Sequence, residues 1–452
     1  MNIIIAGDGK VGSTLARQLS AEGYDITLID SDPQVLKDTG DRLDVLVIHG
    51  NCAAMDVLQQ AGLREADLLI AVTNADEVNL LCCTTAHGIN PKLHTIARIR
   101  NPEYSEQIFS MQNIFALSMA VNPEQQAAVE IERLLKFPGF LRRDTFAKGK
   151  VQIVELRIDP GSKLCNIPLA EMSGIVKCRV LVCAVLRGGN AVTPGGDFVL
   201  REGDRIFVTA PTENLTIMLK NLGILTRRAR RVVLCGGGRV SFYLARLLCK
   251  DGISVQIIDN DPLRCRQLAE LLPGVQIVCG DAANQVVLEE EGAASCDALV
   301  TLTGLDELNM IVSLYGTSRN IPQIITKLTH MENRSITDSL ALGSIVCPKE
   351  LCCNDIIRYV RALRNQTGAA ISLSTIADGQ AEAVEFLVDK TTRNCGKPLR
   401  ELKLKPNVRI ASITHGAKTE VPGGDSVYHV GDSLVAVTSG QGILQQLNDI
   451  FA

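Results

Sequence analysis

The stretch Asn2-Ile-Ile-Ile-Ala-Gly-Asp-Gly-Lys-Val-Gly12 opens this chain, and Arg231-Val-Val-Leu-Cys-Gly-Gly-Gly-Arg-Val-Ser241 repeats it in the second half. Each copy is an apolar β-branched run, a glycine-rich turn and the start of a helical pattern. The two copies begin 229 residues apart. A repeat of this length indicates a duplicated set of domains, because solenoids repeat every 20 to 50 residues or so. The same kind of site is therefore predicted twice in one chain.

The likeness between the two halves continues beyond the opening stretch. An aspartate follows the second apolar run of each half, and a glycine, a threonine and a Pro-Gly-Gly-Asp segment recur further on. The matched pairs are Asp30 and Asp259, Gly50 and Gly280, Thr73 and Thr303, and Pro194–Asp197 and Pro422–Asp425. We expect the halves to share one fold, and the Pro-Gly-Gly-Asp segments to form hairpin turns with glycines at positive φ.

Composition excludes several classes of protein. The chain has 452 residues, of which 46% are hydrophobic and 21% charged, as in globular proteins with large cores. A net charge of −4, 4% aromatic residues and no Trp predict that it does not bind nucleic acid. It has neither a run of about 18 apolar residues nor a charged leader, so a cytosolic protein is expected. The 15 Cys include no Cys-x-x-Cys, and no metal site or disulfide is predicted.

The order of the apolar runs predicts an α/β fold class. Short strands alternate with helices at the start of each half, which indicates a Rossmann-like parallel sheet; the first sheet is predicted to end with a strand at Phe115–Val121. A crossover helix follows each sheet, at Pro123–Lys136 and Lys349–Leu363, and leads to a smaller α+β domain. The first small domain begins after a break at Phe137–Gly139. The predicted domains are nucleotide-binding sheet domains at 1–122 and 231–350, and small domains at 139–223 and 368–452.

The first glycine turn is predicted to hold the phosphates of a nucleotide. Gly7 would allow the tight turn, Gly9 would let a phosphate approach the backbone, and Gly12 would let the helix pack closely on the sheet. The helix would then direct its free N–H groups at the anion. The candidate contacts in this turn are Gly7, Asp8, Gly9, Lys10 and Val11.

Asp30 ends the second predicted strand, where a carboxylate can accept hydrogen bonds from both ribose hydroxyls. The alternative is a helix cap, but Asp32 followed by Pro33 already supplies the cap and the first-turn proline. A carboxylate at this position should also repel a 2′-phosphate. NAD or another adenine nucleotide is therefore favoured over NADP.

Other candidates follow later strands of the first half. Thr73 and Asn74 end the fourth strand, at the carboxyl edge where ligands of such sheets bind. Asn51 and Cys52 end the third strand and are candidates for the adenine slot, with a plain turn as the alternative. Arg98 is a charge in an apolar strand, and a phosphate at the sheet edge would be a suitable partner for it.

The second predicted site departs from the first at three positions. Ser241 replaces the third glycine, Asp281 replaces Asn51, and Lys327 falls where Arg98 does, with a point charge instead of a guanidinium fork. Both sites are expected to bind, with the same or different nucleotides. The candidate residues of the second site are Gly236, Gly237, Gly238, Arg239, Val240, Asp259, Asp281, Ala282, Thr303 and Lys327.

The whole chain resembles the TrkA family of bacterial potassium-uptake regulators, which are built from paired RCK domains. The motifs that carry the resemblance are the opening stretch, Asp25-Ile-Thr-Leu-Ile-Asp30, Ala71-Val-Thr-Asn-Ala-Asp-Glu-Val-Asn79, Ile96-Ala-Arg-Ile-Arg-Asn-Pro-Glu-Tyr104 and their counterparts in the second half. The resemblance implies two RCK N-terminal and two RCK C-terminal domains, which pair through swapped crossover helices into a homo-oligomeric gating ring. It also implies NAD or NADH and ATP or ADP as ligands. The ring would dock on the cytoplasmic face of a TrkH-like integral membrane potassium transporter or channel.

Two other functions are alternatives to this one. A dehydrogenase could carry the same glycine turn, but it needs an acid or base that faces the nicotinamide. The six His share no equivalent position in the two halves, and the small domains offer no evident catalytic pair, so no catalytic residue and no enzyme activity are predicted. A scaffold with empty sites is opposed by the retained glycines and aspartates.

Overall fold

A computed structural model describes residues 1–136, 140–224, 229–329, 340–363, 370–416, 418–440, 444 and 446–452. The predicted break at 137–139 and the predicted first residues of the small domains, 139 and 368, lie outside these ranges. The chain divides into two compact units. The first contains Met1–Ala128 and Cys347–Tyr359, and the second contains Val129–Val346 and Val360–Ala452.

The first unit is built on a six-stranded parallel sheet with the strand order β3-β2-β1-β4-β5-β6. Ile5 pairs with Leu28 on one side and with Ile70 on the other, and all three are fully buried. The order and the burial confirm the Rossmann-like prediction. The elements are β1 Asn2–Ala6, α1 Lys10–Ala21, β2 Asp25–Asp30, α2 Pro33–Gly40, β3 Leu46–His49, α3 Met55–Gln60, β4 Leu68–Ala71, α4 Asp76–Ile89, β5 His94–Arg98, α5 Pro102–Met111 and β6 Met119–Val121.

The last strand of this sheet is shorter than predicted. It begins at Met119, because Ala116 has a φ of 53° and the residues around it form turns that an extended strand cannot contain. The crossover helix α6, Pro123–Lys136, has the predicted bounds. Its amino-terminal part belongs to the first unit and its remainder, from Val129, to the second.

The first small domain is a five-stranded antiparallel sheet with the order β10-β9-β11-β8-β7 and two helices. This composition agrees with the α+β class predicted for the domain. The three-residue β10 and the five-residue α7 are too short to show a period in the sequence. The elements are β7 Arg142–Phe146, β8 Val151–Arg157, α7 Met172–Val176, β9 Leu181–Arg187, β10 Asn190–Val192, β11 Arg205–Ala210 and α8 Thr212–Leu222.

The second parallel-sheet domain repeats the first, with the order β14-β13-β12-β15-β16-β17. The duplication predicted from the sequence is thus a duplication of the fold. The elements are β12 Arg231–Cys235, α9 Arg239–Lys250, β13 Ser254–Asp259, α10 Pro262–Leu271, β14 Gln276–Cys279, α11 Gln285–Glu290, β15 Ala298–Thr301, α12 Asp306–Ser318, β16 Gln323–Lys327, β17 Ser344–Val346 and the crossover helix α13 Pro348–Leu363.

Helix α13 packs on the first sheet domain, although it follows the second sheet in the chain. The Cys353 thiol contacts the Val11 carbonyl at 3.8 Å, and the Tyr359 hydroxyl lies 3.3 Å from His94 Nδ1. The end of α6 in turn packs within the second unit, where Gln323 donates to the Leu134 carbonyl at 2.8 Å. Each crossover helix therefore covers the sheet of the other half.

The second small domain has the order β18-β19-β22-β20-β21, and its sheet packs against the sheet of the first small domain. Apolar residues of both sheets, such as Ala184 and Phe207 from one and Ala411 and Val437 from the other, share one core. Arg409 also donates to the Pro194 carbonyl at 2.7 Å. The strands are β18 Ala370–Ile376, β19 Ala381–Leu387, β20 Val408–His415, β21 Lys418–Glu420 and β22 Ser433–Ser439.

The two Pro-Gly-Gly-Asp segments form turns, as predicted, but not with the predicted backbone. Hydrogen bonds from the Phe198 and Ser426 amides to the carbonyls three residues earlier close them, at 3.2 and 3.1 Å. None of their four glycines has a positive φ. Among the described residues, no helix combines the length and the apolar character needed to cross a bilayer.

Candidate nucleotide sites

The first glycine turn joins β1 to α1 at the carboxyl edge of the sheet. Gly7 has a φ of +102°, and a Cβ on it would lie 2.9 Å from the Thr73 backbone. A Cβ on Gly12 would lie 1.8 Å from the Gly7 carbonyl oxygen, so only glycine lets α1 pack this closely. Around Gly9, in contrast, a Cβ would meet nothing within 4 Å. Gly9, the second glycine of the turn, therefore leaves the backbone open to an approaching group.

The amino terminus of α1 has the electrostatic character of an anion site. Gly9 occupies the N-cap position, and none of the described side chains caps the helix there. The first residue, Lys10, is basic and exposed, and the first turn contains no acid. A cation at this end interacts unfavourably with the helix dipole, and a bound anion would offset this interaction. The neighbouring α2 shows the ordinary arrangement, since Asp32 accepts from the Gln34 amide at 2.9 Å.

Asp30 links the glycine turn to the end of β2. Its Oδ2 accepts from the Asp8 amide at 2.6 Å, and its Oδ1 accepts from the Asp32 amide at 2.9 Å. Asp32 is the cap of α2, as the sequence predicted. Asp30 is half-buried and a carboxylate offers about four acceptor sites. Its two protein bonds therefore leave capacity for ribose hydroxyls, while the same bonds give it a role in shaping the turn.

Asp8 differs from the other candidates because its carboxylate is buried without a partner. It is 2% exposed, and neither oxygen accepts a hydrogen bond from a described residue. Burial raises the pKa of Asp8, and the charge of Asp30 raises this pKa further, while the nearby Thr39 side chain acts in the opposite direction. A ligand that donates hydrogen bonds here would satisfy the carboxylate.

Thr73 is held by Asn79, a residue whose role the sequence did not reveal. The fully buried Asn79 accepts from the Thr73 amide at 2.8 Å and from its hydroxyl at 2.7 Å. Its amide group donates to the Arg98 carbonyl at 2.8 Å. Asn79 thus joins the ends of β4 and β5 and positions Thr73 against Gly7.

Arg98 reaches this same edge of the sheet. Its Nη2 donates to the Thr73 carbonyl at 2.5 Å, while its Nε has no hydrogen-bond partner among the described residues. Burial lowers the pKa of Arg98 first, and Arg100 lowers it further, against the smaller effects of Glu124 and Asp76. The partner predicted for this charge is a phosphate; the partner observed among the described residues is the Thr73 carbonyl.

The remaining candidates of the first half lie around these residues. Asn51 is exposed and accepts from the Ala53 amide at 3.0 Å, the geometry of the plain turn that was the alternative to an adenine slot. Cys52 is buried beside Cys82, whose side chain lowers the pKa of Cys52 despite burial. Asn74 is exposed. The contact of Val11 in the described structure is its carbonyl with Cys353 of α13.

The second site reproduces this frame. Gly236 has a φ of +107°, Gly238 is the uncapped N-cap of α9 among the described residues, and the exposed Arg239 is its first residue. Asp259 accepts from the Gly237 and Asp261 amides at 2.5 and 2.9 Å. Asn309 holds Thr303 as Asn79 holds Thr73, and Lys327 Nζ donates to the Thr303 carbonyl at 2.6 Å. Asp281 accepts from the Ala283 amide at 2.9 Å. The remaining candidates, Val240 and Ala282, are buried.

Two features set the second site apart. Ser241 is fully buried and its hydroxyl donates to the Gly236 carbonyl, so the helix still packs next to the turn. Gly237 replaces the buried Asp8, and the guanidinium of Arg264 donates to its carbonyl at 2.7 Å. The second turn therefore has a cation beside it where the first has a carboxylate within it. Arg264 was not predicted, since its counterpart in the first half is the uncharged Val35.

Family models match most of the chain. The TrkA-N domain matches residues 3–123 and 232–348, and the TrkA-C domain matches residues 153–223 and 383–452. A "Trk system potassium uptake protein TrkA homolog" of Archaeoglobus fulgidus is 32% identical over 451 residues, the full length of both chains. The "Trk system potassium uptake protein TrkA" of Haemophilus influenzae is 29% identical over 460 residues, covering 100% of this chain and 98% of the relative.

Solved structures share the fold at low identity. The GsuK RCK domain superposes with a TM-score of 0.61 and 16% identity, covering 97% of this chain and 92% of that one. A GsuK channel bound to NAD also superposes with a TM-score of 0.61 at 16% identity, covering 97% of this chain and 76% of that one. A structure of GsuK bound to ADP gives a TM-score of 0.50 at 13% identity, covering 80% of this chain and 69% of that one.

Proposed function

Since this chain belongs to the TrkA family and carries the TrkA-N and TrkA-C domains twice in tandem, we propose that it is a nucleotide-binding regulatory subunit of a Trk-type potassium uptake system. Full-length relatives named for potassium uptake support the system, and the two glycine turns support the ligand class. The proposal gives each chain two adenine-nucleotide sites.

The observation that best supports the nucleotide sites concerns helices α1 and α9. Each begins with a basic residue and has no side-chain cap among the described residues. Lys10 and Arg239 are both exposed at the first position of a helix whose first turn has no acid. An acid or a capping side chain would stabilise such a helix end by itself, and neither is present at these two helices among the described residues. An anion between the helix terminus and this base satisfies both.

The ligands are NAD or NADH and ATP or ADP. Asp30 and Asp259 end β2 and β13, where a carboxylate favours ribose hydroxyls and disfavours a 2′-phosphate. The NAD-bound and ADP-bound GsuK structures share this fold and support the same ligand class. The buried Asp8 in one turn and Arg264 beside the other give the two sites different charge, so they need not prefer the same nucleotide.

The partner is a TrkH-like integral membrane potassium transporter or channel, and this chain acts as a homo-oligomeric ring on its cytoplasmic face. A ring of this kind controls conduction only if nucleotide binds two of its shapes unequally. The phosphate end is where ligands of different charge can be distinguished. Arg98 lies at that edge through its bond to the Thr73 carbonyl, which belongs to the strand end that Gly7 contacts.

Bound NADH acts in this proposal as a signal and not as a reductant. The alternative is an NAD-dependent dehydrogenase with an unrecognised substrate domain. The two are separated by incubating the protein with NADH and a broad panel of carbonyl compounds. Unchanged absorbance of the reduced nicotinamide supports the regulator; steady oxidation that is lost in Asp30→Ala supports the dehydrogenase.

Calorimetry with NAD, NADH, ATP, ADP and NADP tests the sites directly. Two adenine nucleotides per chain are expected, with NADP weakest. Asp30→Ala should weaken the first site by roughly 1 to 3 kcal/mol and spare the second, and Asp259→Ala should do the reverse. Because both carboxylates also hold their turns, Asp30→Asn and Asp259→Asn serve as matched variants that keep one acceptor oxygen. A wild type that binds no nucleotide, or prefers NADP, contradicts the proposal.

Reconstituted potassium flux tests the regulatory role. The TrkH-like partner in vesicles should conduct differently with this protein present, and the difference should depend on nucleotide. Arg98→Lys introduces the residue that the second site has at Lys327, so the fold should tolerate it while the response to nucleotide is blunted. Flux that is the same with and without this protein, across all four nucleotides, refutes the regulatory role.

A further inference from the structure

The two small domains differ around one conserved feature of the repeat, a buried aspartate before the last strand of each sheet. Asp204 precedes β11 in the first domain and Asp432 precedes β22 in the second. Two arginines of the first half, Arg187 and Arg201, correspond to His415 and His429 of the second. The sequence comparison found no histidine shared by the halves, and therefore gave this pair no role.

In the first domain the aspartate is neutralised by an arginine. Arg187 donates from Nε and Nη2 to the two oxygens of Asp204, at 2.7 and 2.6 Å. Asp204 is 1% exposed, and the hydrogen bonds with it raise the pKa of Arg187. The amide of Arg201 adds a bond of 2.8 Å to Oδ2. A guanidinium has no lone pair to offer, so this arrangement is a closed ion pair.

In the second domain the same carboxylate faces two imidazoles. His415 Nδ1 lies 2.8 Å from Asp432 Oδ2, and His429 Nδ1 lies 3.9 Å from it. The His429 amide donates to this oxygen at 2.7 Å, which keeps the backbone bond of the first domain. The ligand atoms of the three side chains all lie within 4.8 Å of one another.

We propose that His415, His429 and Asp432 form a binding site for a divalent transition-metal ion of the Zn²⁺ class. Two imidazole nitrogens and a carboxylate oxygen suit Zn²⁺, whereas Mg²⁺ and Ca²⁺ prefer oxygen ligands alone. Zinc binds such atoms at about 2.0 to 2.2 Å, which places tetrahedral ligands roughly 3.3 to 3.6 Å apart. The present separations are 2.8 and 3.9 Å to Asp432 Oδ2 and at most 4.8 Å within the cluster, so binding requires the side chains to adjust. Metal ligation needs an imidazole nitrogen and a carboxylate that carry no proton, so binding weakens as the pH falls.

The surroundings of the cluster leave room for the ion and for a further ligand. His415 and His429 line a surface cleft of about 500 Å³, together with Glu420 and Asp425 of the same domain. Arg179 of the first small domain lines the same cleft. A metal held there joins the end of β20 to the segment before β22, close to where the two small domains meet.

The test uses the full-length chain, freed of metal with a chelator and kept reduced. Binding of Zn²⁺ is measured by competition with a chromophoric chelator, and Co²⁺ is used as a spectroscopic probe. A single ion per chain is expected, with a cobalt spectrum of nitrogen and oxygen ligands. An intense thiolate-to-cobalt band in its place would show that the ion binds to some of the 15 Cys, and would overturn the assignment.

His415→Arg is the decisive variant, because the first domain shows that this fold accepts an arginine paired with the aspartate. The variant should keep the wild-type circular dichroism and nucleotide binding but lower the affinity for Zn²⁺ by at least 10- to 100-fold, roughly the cost of losing even an outer-shell partner. His429→Arg should behave alike, and His87→Gln on α4 is the matched control that should bind normally. Zinc should raise the melting temperature of the wild type and of His87→Gln only. Equal zinc affinity in wild type and His415→Arg overturns the proposal.

Discussion

Replacing Asn79 by Ala is expected to loosen the first nucleotide site and leave the second intact. The side chain of Asn79 is fully buried and makes three short hydrogen bonds, of 2.8 and 2.7 Å from the amide and hydroxyl of Thr73 and of 2.8 Å to the Arg98 carbonyl. At about 1 kcal/mol for each bond, the change should cost about 3 kcal/mol locally. That corresponds to about a 150-fold increase in opening of this edge of the sheet.

Hydrogen exchange measures this opening without assuming that the whole chain unfolds in one step. Protection of the β1, β4 and β5 amides should fall by that factor in Asn79→Ala, and nucleotide should bind more weakly at the first site, because Thr73 contacts Gly7. Asn74→Ala is the control for hydrogen exchange alone, since Asn74 is an exposed asparagine in the same segment and is itself a candidate ligand contact. Asn309→Ala should reproduce the effect in β12, β15 and β16 alone.

The reasoning fails if the β4 amides are as well protected from hydrogen exchange in Asn79→Ala as they are in Asn74→Ala. It also fails if the variant loses protection but binds nucleotide at the first site with wild-type affinity. In that case the strand end would be stabilised by Asn79 but would not shape the ligand site.

Other variants probe the same turns. Lys10→Glu should weaken phosphate-bearing ligands severalfold at the first site only, and Arg239→Glu at the second only, as titration calorimetry would reveal; equal effects at both sites contradict separate anion sites. Asp8→Asn should raise the melting temperature at neutral pH, because burial raises the pKa of the Asp8 carboxyl and the ionised group therefore destabilises the fold. This destabilisation develops as the pH rises from the ordinary pKa of 3.8 through the raised pKa of the folded state, so the gain in melting temperature should vanish in acid. Gly12→Ala should cost roughly 1 to 3 kcal/mol because of overpacking and abolish the first site, whereas Ser241→Ala should be milder; comparable thermal shifts in the two would contradict the packing argument.

Most of the fold could be predicted because its signals are local. Apolar runs bounded by glycines and prolines predicted the strands of both sheets, and α6 was predicted with its observed bounds. The errors occur where the signal is short or depends on backbone geometry. The turn at Ala116 delays β6 to Met119, and β10 has only three residues. Neither feature leaves a periodic pattern in the sequence.

The candidate sites were less predictable, because side-chain partners come from distant parts of the chain. The glycine turn and Asp30 were found by their spacing, but the bonds from Asp30 to its own turn were not. The sequence shows only that Asn79 recurs as Asn309 in the second half. The role of Asn79 could not be predicted, because it depends on two strand ends that meet only in the folded structure. His415 and His429 were set aside for having no counterpart in the first half. That difference from Arg187 and Arg201 was itself the informative signal.

The exchange of crossover helices has a consequence for the origin of this chain. A half-length ancestor that ended after its first small domain would have carried α6 but no α13, and the surface of its sheet domain around Val11 of α1 and His94 of β5 would have been uncovered. Only a second molecule could have covered it, so folding would have depended on protein concentration. Joining the two halves in one chain removes that dependence, because tethering gives each half a partner at an effective concentration of roughly millimolar. Once both copies were in one chain, each was also free to diverge, and the small domain that carries His415 no longer had to match its twin.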